Sequence, residues 1–292
     1  MRFDSYHPVI NFIYFTVALA CAVQFDHPVF LVISYLAAFF YSIKLNGVRS
    51  FVFNLCLIPF IAAYAIYYSY YNHFGVTALR TNFIGNRITL EALTVGLVRG
   101  VMAASVLMIF SCIFTLVSAD KIVYLFGRIS PKLSLYLSIL LRFVPRVKQR
   151  AAKTELSRRG IGKGCFQGNL VCRLKNCGSF ISILVTWTLE DFMESAQSMK
   201  CRGYSLRGRT AFSIYRFDNR DRGLVLVMSL CITLMTAAEA FDQTGILYDP
   251  EIVMNRITPL SCVFYAAYAL FLLLPMFLQI AEEKRYPSGS VS

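Results

Sequence analysis

Apolar residues fall into six long runs separated by polar segments, and this alternation is the strongest pattern in the chain. A bilayer core of about 30 Å needs roughly 20 apolar residues when an α-helix crosses it. The pattern therefore predicts an all-α integral membrane protein with about six transmembrane helices. The predicted spans are Pro8–Gln24, Pro28–Ile43, Phe51–Tyr71, Leu90–Ala119, Gly223–Phe241 and Thr258–Ile280.

The first two spans are short and meet at a tight turn, Phe25-Asp26-His27. They predict a helical hairpin, and two alternatives stay open for it: both helices cross the bilayer, or the hairpin crosses only in part. The overall composition agrees with a membrane protein. Hydrophobic residues make up 57% of the chain and charged residues 15%, where a soluble domain carries roughly 25% charged residues.

Charge divides the chain into three predicted parts. Residues 121–222 contain 20 Lys or Arg and 6 Asp or Glu, whereas the whole chain has a net charge of +13, so this region holds all of the excess. A basic segment between spans faces the cytoplasm under the positive-inside rule. We therefore predict about four spans in 1–120, a cytoplasmic region in 121–222, and about two spans with a short tail in 223–292. Both termini are then cytoplasmic.

Within the basic region, helical spacing of apolar residues predicts two long amphipathic helices. Pro131 is suited to the first turn of one helix, and Pro145 is expected to kink it near its midpoint. Gly160 is predicted as its left-handed C-cap. The second helix is predicted to begin near Gly178 and to end with Gly203 as its C-cap.

Both predicted helices end in Arg-Gly, at Arg159-Gly160 and Arg202-Gly203. Two interpretations of these ends stay open. An arginine in the last turn is favoured by the helix dipole, by about 0.3–1 kcal/mol at an exposed site. Alternatively, the planar guanidinium at an exposed helix tip is suited to pairing with a protein partner.

Enzyme signatures do not occur in the sequence, and we predict no catalytic residues. There is no P-loop, zinc-protease motif, nucleophile elbow or dinucleotide fingerprint. Cys165, Cys172 and Cys177 lack metal-binding spacing and a nearby histidine, so no metal site is predicted. The acidic residues at 190, 191 and 194 are interpreted as a solvated or partner-facing helix surface. Nucleic-acid binding is disfavoured because spans tether the basic region on both sides.

A self-sufficient secondary transporter is the alternative function, because such proteins carry ionisable residues deep in broken spans. Only Arg99 and Glu239 approach that pattern. Arg99 lies within a G-x-x-x-G motif formed by Gly96 and Gly100. It is interpreted either as a buried charge at a close helix contact or as an arginine that snorkels towards the end of a long helix.

The basic region resembles the transmembrane T component of energy-coupling factor (ECF) transporters, a family akin to cobalt transporter permease subunits. Leu141-Arg142-Phe143-Val144-Pro145 is similar to the stretch ahead of the family's first signature. Arg158-Arg159-Gly160 and Cys201-Arg202-Gly203 resemble its two Ala-Arg-Gly signatures. Arg158 and Cys201 replace the usual alanines, while the Arg-Gly core is intact. Glu190-Asp191 is similar to the usual approach to the second signature.

The resemblance implies a non-catalytic coupling subunit of an ABC-type importer in the cell membrane. Two cytosolic ATPases would bind ATP and Mg and would dock on the signature residues, and this chain would bind no cofactor. A small membrane-embedded substrate-binding S component, surrounded by lipid, would pack on the apolar stripe and carry a vitamin or metal ion. The ATPase-docking residues implied are Arg158, Arg159, Gly160, Arg202 and Gly203. The S-component-facing residues implied are Leu184, Trp187, Phe192 and Met199.

Overall fold

The computed structural model describes residues 3, 6–72, 75–81, 87–204, 206, 215, 217–246, 248 and 258–285. The chain forms two compact units. We call residues 1–118 together with 215–292 the membrane unit, and residues 119–214 the central unit. The helices and strands, in chain order, are α1 Pro8–Gln24, α2 Pro28–Asn46, α3 Val48–Tyr71, β1 Ala78–Thr81, β2 Arg87–Thr89, α4 Leu90–Leu116, α5 Ala119–Ile129, α6 Pro131–Gly160, α7 Leu170–Cys201, α8 Asn219–Ala240 and α9 Pro259–Arg285.

All six apolar runs are helical, which confirms the predicted all-α membrane fold. Five helices of the described residues, α2, α3, α4, α8 and α9, are long and apolar enough to cross a bilayer. Helix α1 has 17 residues and is shorter than the others. Helix α2 extends to Asn46 and is long enough to cross a bilayer. Whether the first hairpin crosses completely therefore depends on α1.

Two helices organise the packing of the membrane unit. Helix α4 packs against α1, α2 and α3, while α2 also packs against α3 and α9. Tyr268 and Phe271 on α9 are completely buried in this core. The Tyr14 hydroxyl donates to the carbonyl of Leu272 at 2.9 Å, and the hydroxyls of Ser34 and Tyr268 lie 2.6 Å apart. Side-chain hydroxyls thus form hydrogen bonds inside the helix bundle, where water is scarce.

Two histidines, which the sequence pattern left without a role, cap the first two helices. The Nδ1 atoms of His7 and His27 accept hydrogen bonds from the amides of Val9 and Val29, each at 3.3 Å. In each case a proline follows at the first helical position, where its missing N–H is not needed. Burial lowers the pKa of His27, which favours the neutral ring that can accept this bond.

The glycines around Arg99 form a close helix contact, as one of the two interpretations predicted. A Cβ atom on Gly96 would lie 2.9 Å from the carbonyl oxygen of Ala65, and one on Gly100 would lie 3.2 Å from Ile61. Arg99 itself is half exposed, and its Nη1 atom lies 3.9 Å from the Asp26 carboxylate in the connection between α1 and α2. The charge therefore reaches out of the bundle, so the close contact is made by the glycines without a buried arginine.

A short β-hairpin departs from the predicted arrangement of helices alone. Strands β1 and β2 pair antiparallel in the connection between α3 and α4. At its base the Glu91 carboxylate accepts hydrogen bonds from the amide of Thr77 at 3.2 Å and from its hydroxyl at 2.7 Å. These bonds tie the hairpin to the first turn of α4.

The central unit contains three helices where two were predicted. Helix α5 follows directly after α4, and helix α6 runs from Pro131 to Gly160 and continues through Pro145. Helix α7 begins at Leu170, eight residues before the predicted start at Gly178. The side chain of Asn169 accepts the Leu170 amide at 2.9 Å and caps this earlier start. Gly178 is accommodated inside the helix, and its Cβ position is open.

Replacing Gly96 by alanine should wedge α3 and α4 apart, because the new methyl group would meet the backbone of Ala65. We expect Gly96→Ala to lower the stability of the purified protein by about 1–3 kcal/mol, the usual cost of overpacking. Thermal unfolding in detergent measures this loss. Gly223→Ala on α8 is the matched control, since no atom lies within 4 Å of its Cβ position. Equal unfolding midpoints for the two variants would contradict the close contact.

Candidate docking site

The long helices α6 and α7 of the central unit run antiparallel and contact each other at three levels. The rings of Phe143 and Phe192 stack with centroids 4.6 Å apart. The Arg150 guanidinium binds both carboxylate oxygens of Asp191, at 2.5 and 2.7 Å. Near the end of α6, Arg158 donates a hydrogen bond to the Asn176 carbonyl of α7. Among the described residues of this unit no apolar side chain is buried, so these contacts act without an enclosed apolar core.

The first Arg-Gly end differs from the predicted cap. Gly160 lies inside the last turn of α6, and the left-handed residue is Gly162, with φ of 76°. Its conformation lets the Lys163 amide bond the carbonyl of Arg158 at 2.9 Å, and the Gly162 amide bond that of Arg159 at 3.1 Å. This is the Schellman pattern, which satisfies carbonyls at a helix end. The prediction of Gly160 as the left-handed residue was therefore wrong, because Gly160 is still helical and the left-handed residue lies two positions later.

The two arginines of the first end have different surroundings. Arg158 is half-buried and donates to the carbonyls of Lys163 at 3.2 Å and Asn176 at 3.3 Å. It therefore holds the connection after α6 against α7. Arg159 is exposed, and its Nε donates to the Glu155 carboxylate at 2.9 Å. Of the two, Arg159 is the one that presents its guanidinium to solvent.

The second Arg-Gly end follows the prediction for Gly203, which has φ of 76°. The Tyr204 amide bonds the carbonyl of Met199 at 3.2 Å, and the Gly203 amide bonds that of Lys200 at 3.0 Å. This is again a Schellman pattern, with Arg202 directly before the left-handed glycine. Arg202 is exposed, and its side chain makes no hydrogen bond or ion pair with the residues the structure describes.

The two signatures therefore lie at opposite ends of the helix pair. Arg158 touches Asn176 in the second turn of α7, whereas Arg202 follows the last turn of the same helix. With a rise of 1.5 Å per residue, the two ends are roughly 40 Å apart. The structure does not bring Arg159 and Arg202 together, and it presents them as two separate exposed tips.

The residues implied to face an S component are divided between two surfaces. Phe192 stacks on Phe143 of α6, and Leu184 and Met199 are half-buried near the same side of α7. Trp187 remains about half exposed, although its carbonyl lies 3.5 Å from Arg150. The apolar stripe predicted for this helix included Ile181 and Val185. The sequence analysis missed that these two residues belong to a more exposed apolar row at four-residue spacing, which we call the outer row. Its members are Ile181, Val185, Leu189 and Met193, with relative exposures of 50–61%.

Four-residue spacing alone could have identified the outer row. The sequence could not show which side of α7 packs against α6. The stripe predicted for α7 was chosen from apolar residues at helical spacing, without knowledge of their exposure. The structure shows that Asp191 and Phe192 contact α6, while the four side chains of the outer row stay at least half exposed. A similar exposed row runs along α6. Its members are Leu133, Tyr136, Leu140 and Val144.

The cysteines of the central unit make local contacts. The Cys177 thiol lies 3.7 Å from the carbonyl oxygen of Cys165, and the Asn176 amide lies 3.9 Å from the sulfur of Cys172. Within the part of the chain that the structure describes, no group of three or more His, Cys, Asp or Glu side chains is arranged to hold a metal ion. Of the acidic residues near the second signature, Asp191 forms the ion pair with Arg150.

The membrane unit encloses a small cavity between α1, α2, α4 and α9. Its volume is about 20 Å³, and Tyr14, Ser34, Tyr41 and Cys112 are among its lining residues. Pockets for small organic ligands are typically about 300–1,000 Å³. This cavity has room for about one water molecule and is far too small for a vitamin.

Sequence comparison identifies a relative with a known role. The chain is similar to an ECF transporter protein. The relative is the energy-coupling factor transporter transmembrane protein EcfT of Staphylococcus aureus, with 32% identity over 108 residues. The match covers 35% of this chain and 39% of the relative, so it spans about two fifths of that protein's length. No family model matches the chain. The relative confirms the resemblance to ECF T components that the sequence motifs indicated.

The two signature glycines should respond differently to substitution. We expect Gly203→Ala to lower stability by about 1–2 kcal/mol, since alanine is disfavoured at positive φ. Gly160→Ala should not destabilise the chain, because Gly160 lies in the helix and its Cβ position is open. Trp187 is the single tryptophan, so its fluorescence on heating reports on the central unit. Equal losses at both glycines would contradict the assignment of the two helix ends.

Proposed function

We propose that the chain is the transmembrane T component of an ECF-type importer. It would couple ATP-driven motion in two cytosolic ATPases to a membrane-embedded S component. The observation that carries this proposal is the helix pair α6–α7, which presents an exposed arginine at each end and exposed apolar rows between them. The similarity to EcfT supports the same assignment.

Each arginine tip would dock on one ATPase. The tips lie roughly 40 Å apart by helix rise, a separation suited to two subunits side by side. Gly160 supports docking at the first tip, because no described atom lies within 4 Å of its Cβ position, so the described contacts do not require a glycine there. A residue without a side chain would allow close approach of a partner. Arg158 would contribute indirectly by holding the connection to α7.

The apolar rows would form the surface for the S component. An exposed row of four apolar residues on α7 is costly in water unless a partner or lipid covers it. The outer row and Trp187 would contact the partner, whereas Phe192 would support the surface from its position against Phe143.

In this mechanism the ATPases bind ATP and Mg, and their closure moves the two tips. The described part of the helix pair has no enclosed apolar core, and the pair would transmit this motion to the S component through its three sets of contacts. That subunit would then reorient and release a vitamin or metal ion into the cytoplasm. With a basic central unit on the cytoplasmic side, and with four crossing helices before it and two after it, both chain termini would lie inside under the positive-inside rule.

A self-sufficient secondary transporter finds no comparable support. Arg99 reaches Asp26 outside the helices, and Glu239 lies one residue before the end of α8, where it bonds Gln24. Neither residue lines the small inner cavity.

Loss of either docking arginine should weaken the complex without unfolding the chain. We expect Arg159→Ala and Arg202→Ala each to reduce ATPase binding about tenfold or more, the loss of one charged hydrogen bond or a pair of them. Titration of the purified ATPases against the full chain in nanodiscs measures this. Arg146→Ala is the control, because Arg146 is also exposed on α6. Wild-type affinity in the Arg159→Ala/Arg202→Ala double variant would contradict ATPase docking.

A charge in the outer row should affect a different partner. We expect Leu189→Glu to remove the small membrane protein that co-purifies with the chain and to leave ATPase binding unchanged, because a carboxylate in an apolar interface would be desolvated. Quantitative mass spectrometry of the purified complex measures both partners. Leu174→Glu, at an exposed apolar position of α7 outside the row, is the control. Retention of the small protein by Leu189→Glu would overturn the proposed surface.

A further inference from the structure

The carboxylate of Glu155 connects Arg159 to the segment that follows α6. Its Oε1 atom accepts from Arg159 Nε at 2.9 Å and from the Cys165 amide at 3.2 Å. Its Oε2 atom lies 3.4 Å from the same amide. The Glu155 side chain is 17% exposed, while that of Arg159 is 54% exposed. One covered carboxylate therefore holds both an exposed guanidinium and the backbone four to five residues beyond the end of the helix.

The pKa of Glu155 is consistent with a charged carboxylate that holds Arg159 and the segment after α6. Hydrogen bonding from the Cys165 side chain, and then from Arg159, lowers the pKa of Glu155. The same contact raises the pKa of Cys165 to about 12, so its thiol keeps its proton. A lowered carboxyl pKa means that the charged form contributes stability above the ordinary Glu value, and that this contribution is lost only as the pH falls through the lower folded-state pKa. At neutral pH the Glu155 carboxylate is therefore charged and its bond to Arg159 is retained.

Gly164 fits against the aliphatic stem of Arg159. A Cβ atom on Gly164 would lie 2.7 Å from Arg159 Cγ and 3.2 Å from the Gln167 side-chain oxygen. The first distance is shorter than real Cβ contacts allow, and the atom met is in the middle of the side chain. Any other residue at 164 would therefore displace the arginine.

The backbone at Gly164 is itself fixed in place. Its amide donates to the Gln167 side chain at 3.0 Å, and its carbonyl accepts from the buried Asn176 side chain at 3.3 Å. Asn176 belongs to α7, and its own carbonyl accepts from Arg158. The surface under Arg159 is thus part of a hydrogen-bonded connection between the two long helices.

Within the part of the chain that the structure describes, no comparable contact holds the second signature. Arg202 makes no hydrogen bond or ion pair with described side chains, and it stands one residue before its left-handed glycine. Arg159 stands three residues before Gly162 and is held on two sides. Among the described contacts, the two tips therefore differ in how the guanidinium is held.

We propose that Glu155 and Gly164 are positioning residues for Arg159. They hold its guanidinium in one orientation and preorganise the first tip for a carboxylate or carbonyl group of the partner. This inference rests on the proposed docking function of Arg159. Preorganisation improves affinity by removing the ordering cost of the side chain on binding.

A double-mutant cycle separates positioning from general structural support. The full chain in nanodiscs is titrated with the purified ATPases for Glu155→Gln, Gly164→Ala, Arg159→Ala and each double variant. We expect Glu155→Gln and Gly164→Ala each to weaken binding about three- to tenfold, and to have no further effect when Arg159 is already alanine. Gly178→Ala, an open glycine position in α7, is the control and should bind like the wild type.

The outcomes are distinct. If Arg159→Ala weakens binding but Glu155→Gln and Gly164→Ala do not, positioning is overturned and docking stands. If the two variants weaken binding equally with and without Arg159, their role is structural, and positioning is also overturned. If Arg159→Ala itself has no effect, the proposed function fails at this tip. Should Gly164→Ala fail to fold, as judged by Trp187 fluorescence, the isosteric Glu155→Gln decides.

Discussion

The contact between α6 and α7 is the constraint on which the central unit depends. An aromatic stack, a two-pronged arginine–aspartate pair and an arginine bonded to backbone carbonyls join the helices at successive levels. Soluble helix pairs of this length usually bury an apolar seam, yet no apolar side chain of the described part of this unit is buried. Direction and register are therefore set by specific polar and aromatic contacts, and apolar side chains are left on the surface.

Different side chains of α7 therefore hold the helix pair together and form the exposed apolar surface. Asp191 and Phe192 contact α6, and the outer row beside them remains exposed. A partner that binds the outer row need not compete with the contacts that hold the pair. The Schellman ends complete the arrangement, because they satisfy the last carbonyls and leave Arg159 and Arg202 at the tips. Movement at one tip would then be carried along the helices rather than absorbed by a deformable core.

The sequence was sufficient for the membrane helices, because a bilayer permits few alternatives to long apolar helices. It also located both Arg-Gly ends, and it offered the close contact at Gly96 and Gly100 as one of two interpretations, together with a buried Arg99 that the structure does not show. The exact end of α6 was misjudged, since Gly160 and Gly162 are both able to close a helix and only the backbone bonds of Lys163 distinguish them. The early start of α7 depended on the Asn169 cap ahead of a glycine at 178.

The features that the sequence could not reveal depend on contacts between distant residues. Glu155 precedes Arg159 by one helical turn, a spacing that alone indicates an ordinary surface ion pair. Its bond to the Cys165 amide, and the fit of Gly164 against the arginine stem, appear only when the connection folds back. The spacing of the outer row is visible in the sequence, but its exposure beside the contacts with α6 is not.

The coupling role is tested most directly by what the intact protein binds in its own membrane. The tagged chain is solubilised gently from native membranes and purified, and the proteins that accompany it are identified by mass spectrometry. We predict two ABC-type ATPases together with at least one small hydrophobic membrane protein. Recovery of the chain alone, under conditions in which a control membrane complex remains assembled, would contradict the account and would favour a transporter that works without partners.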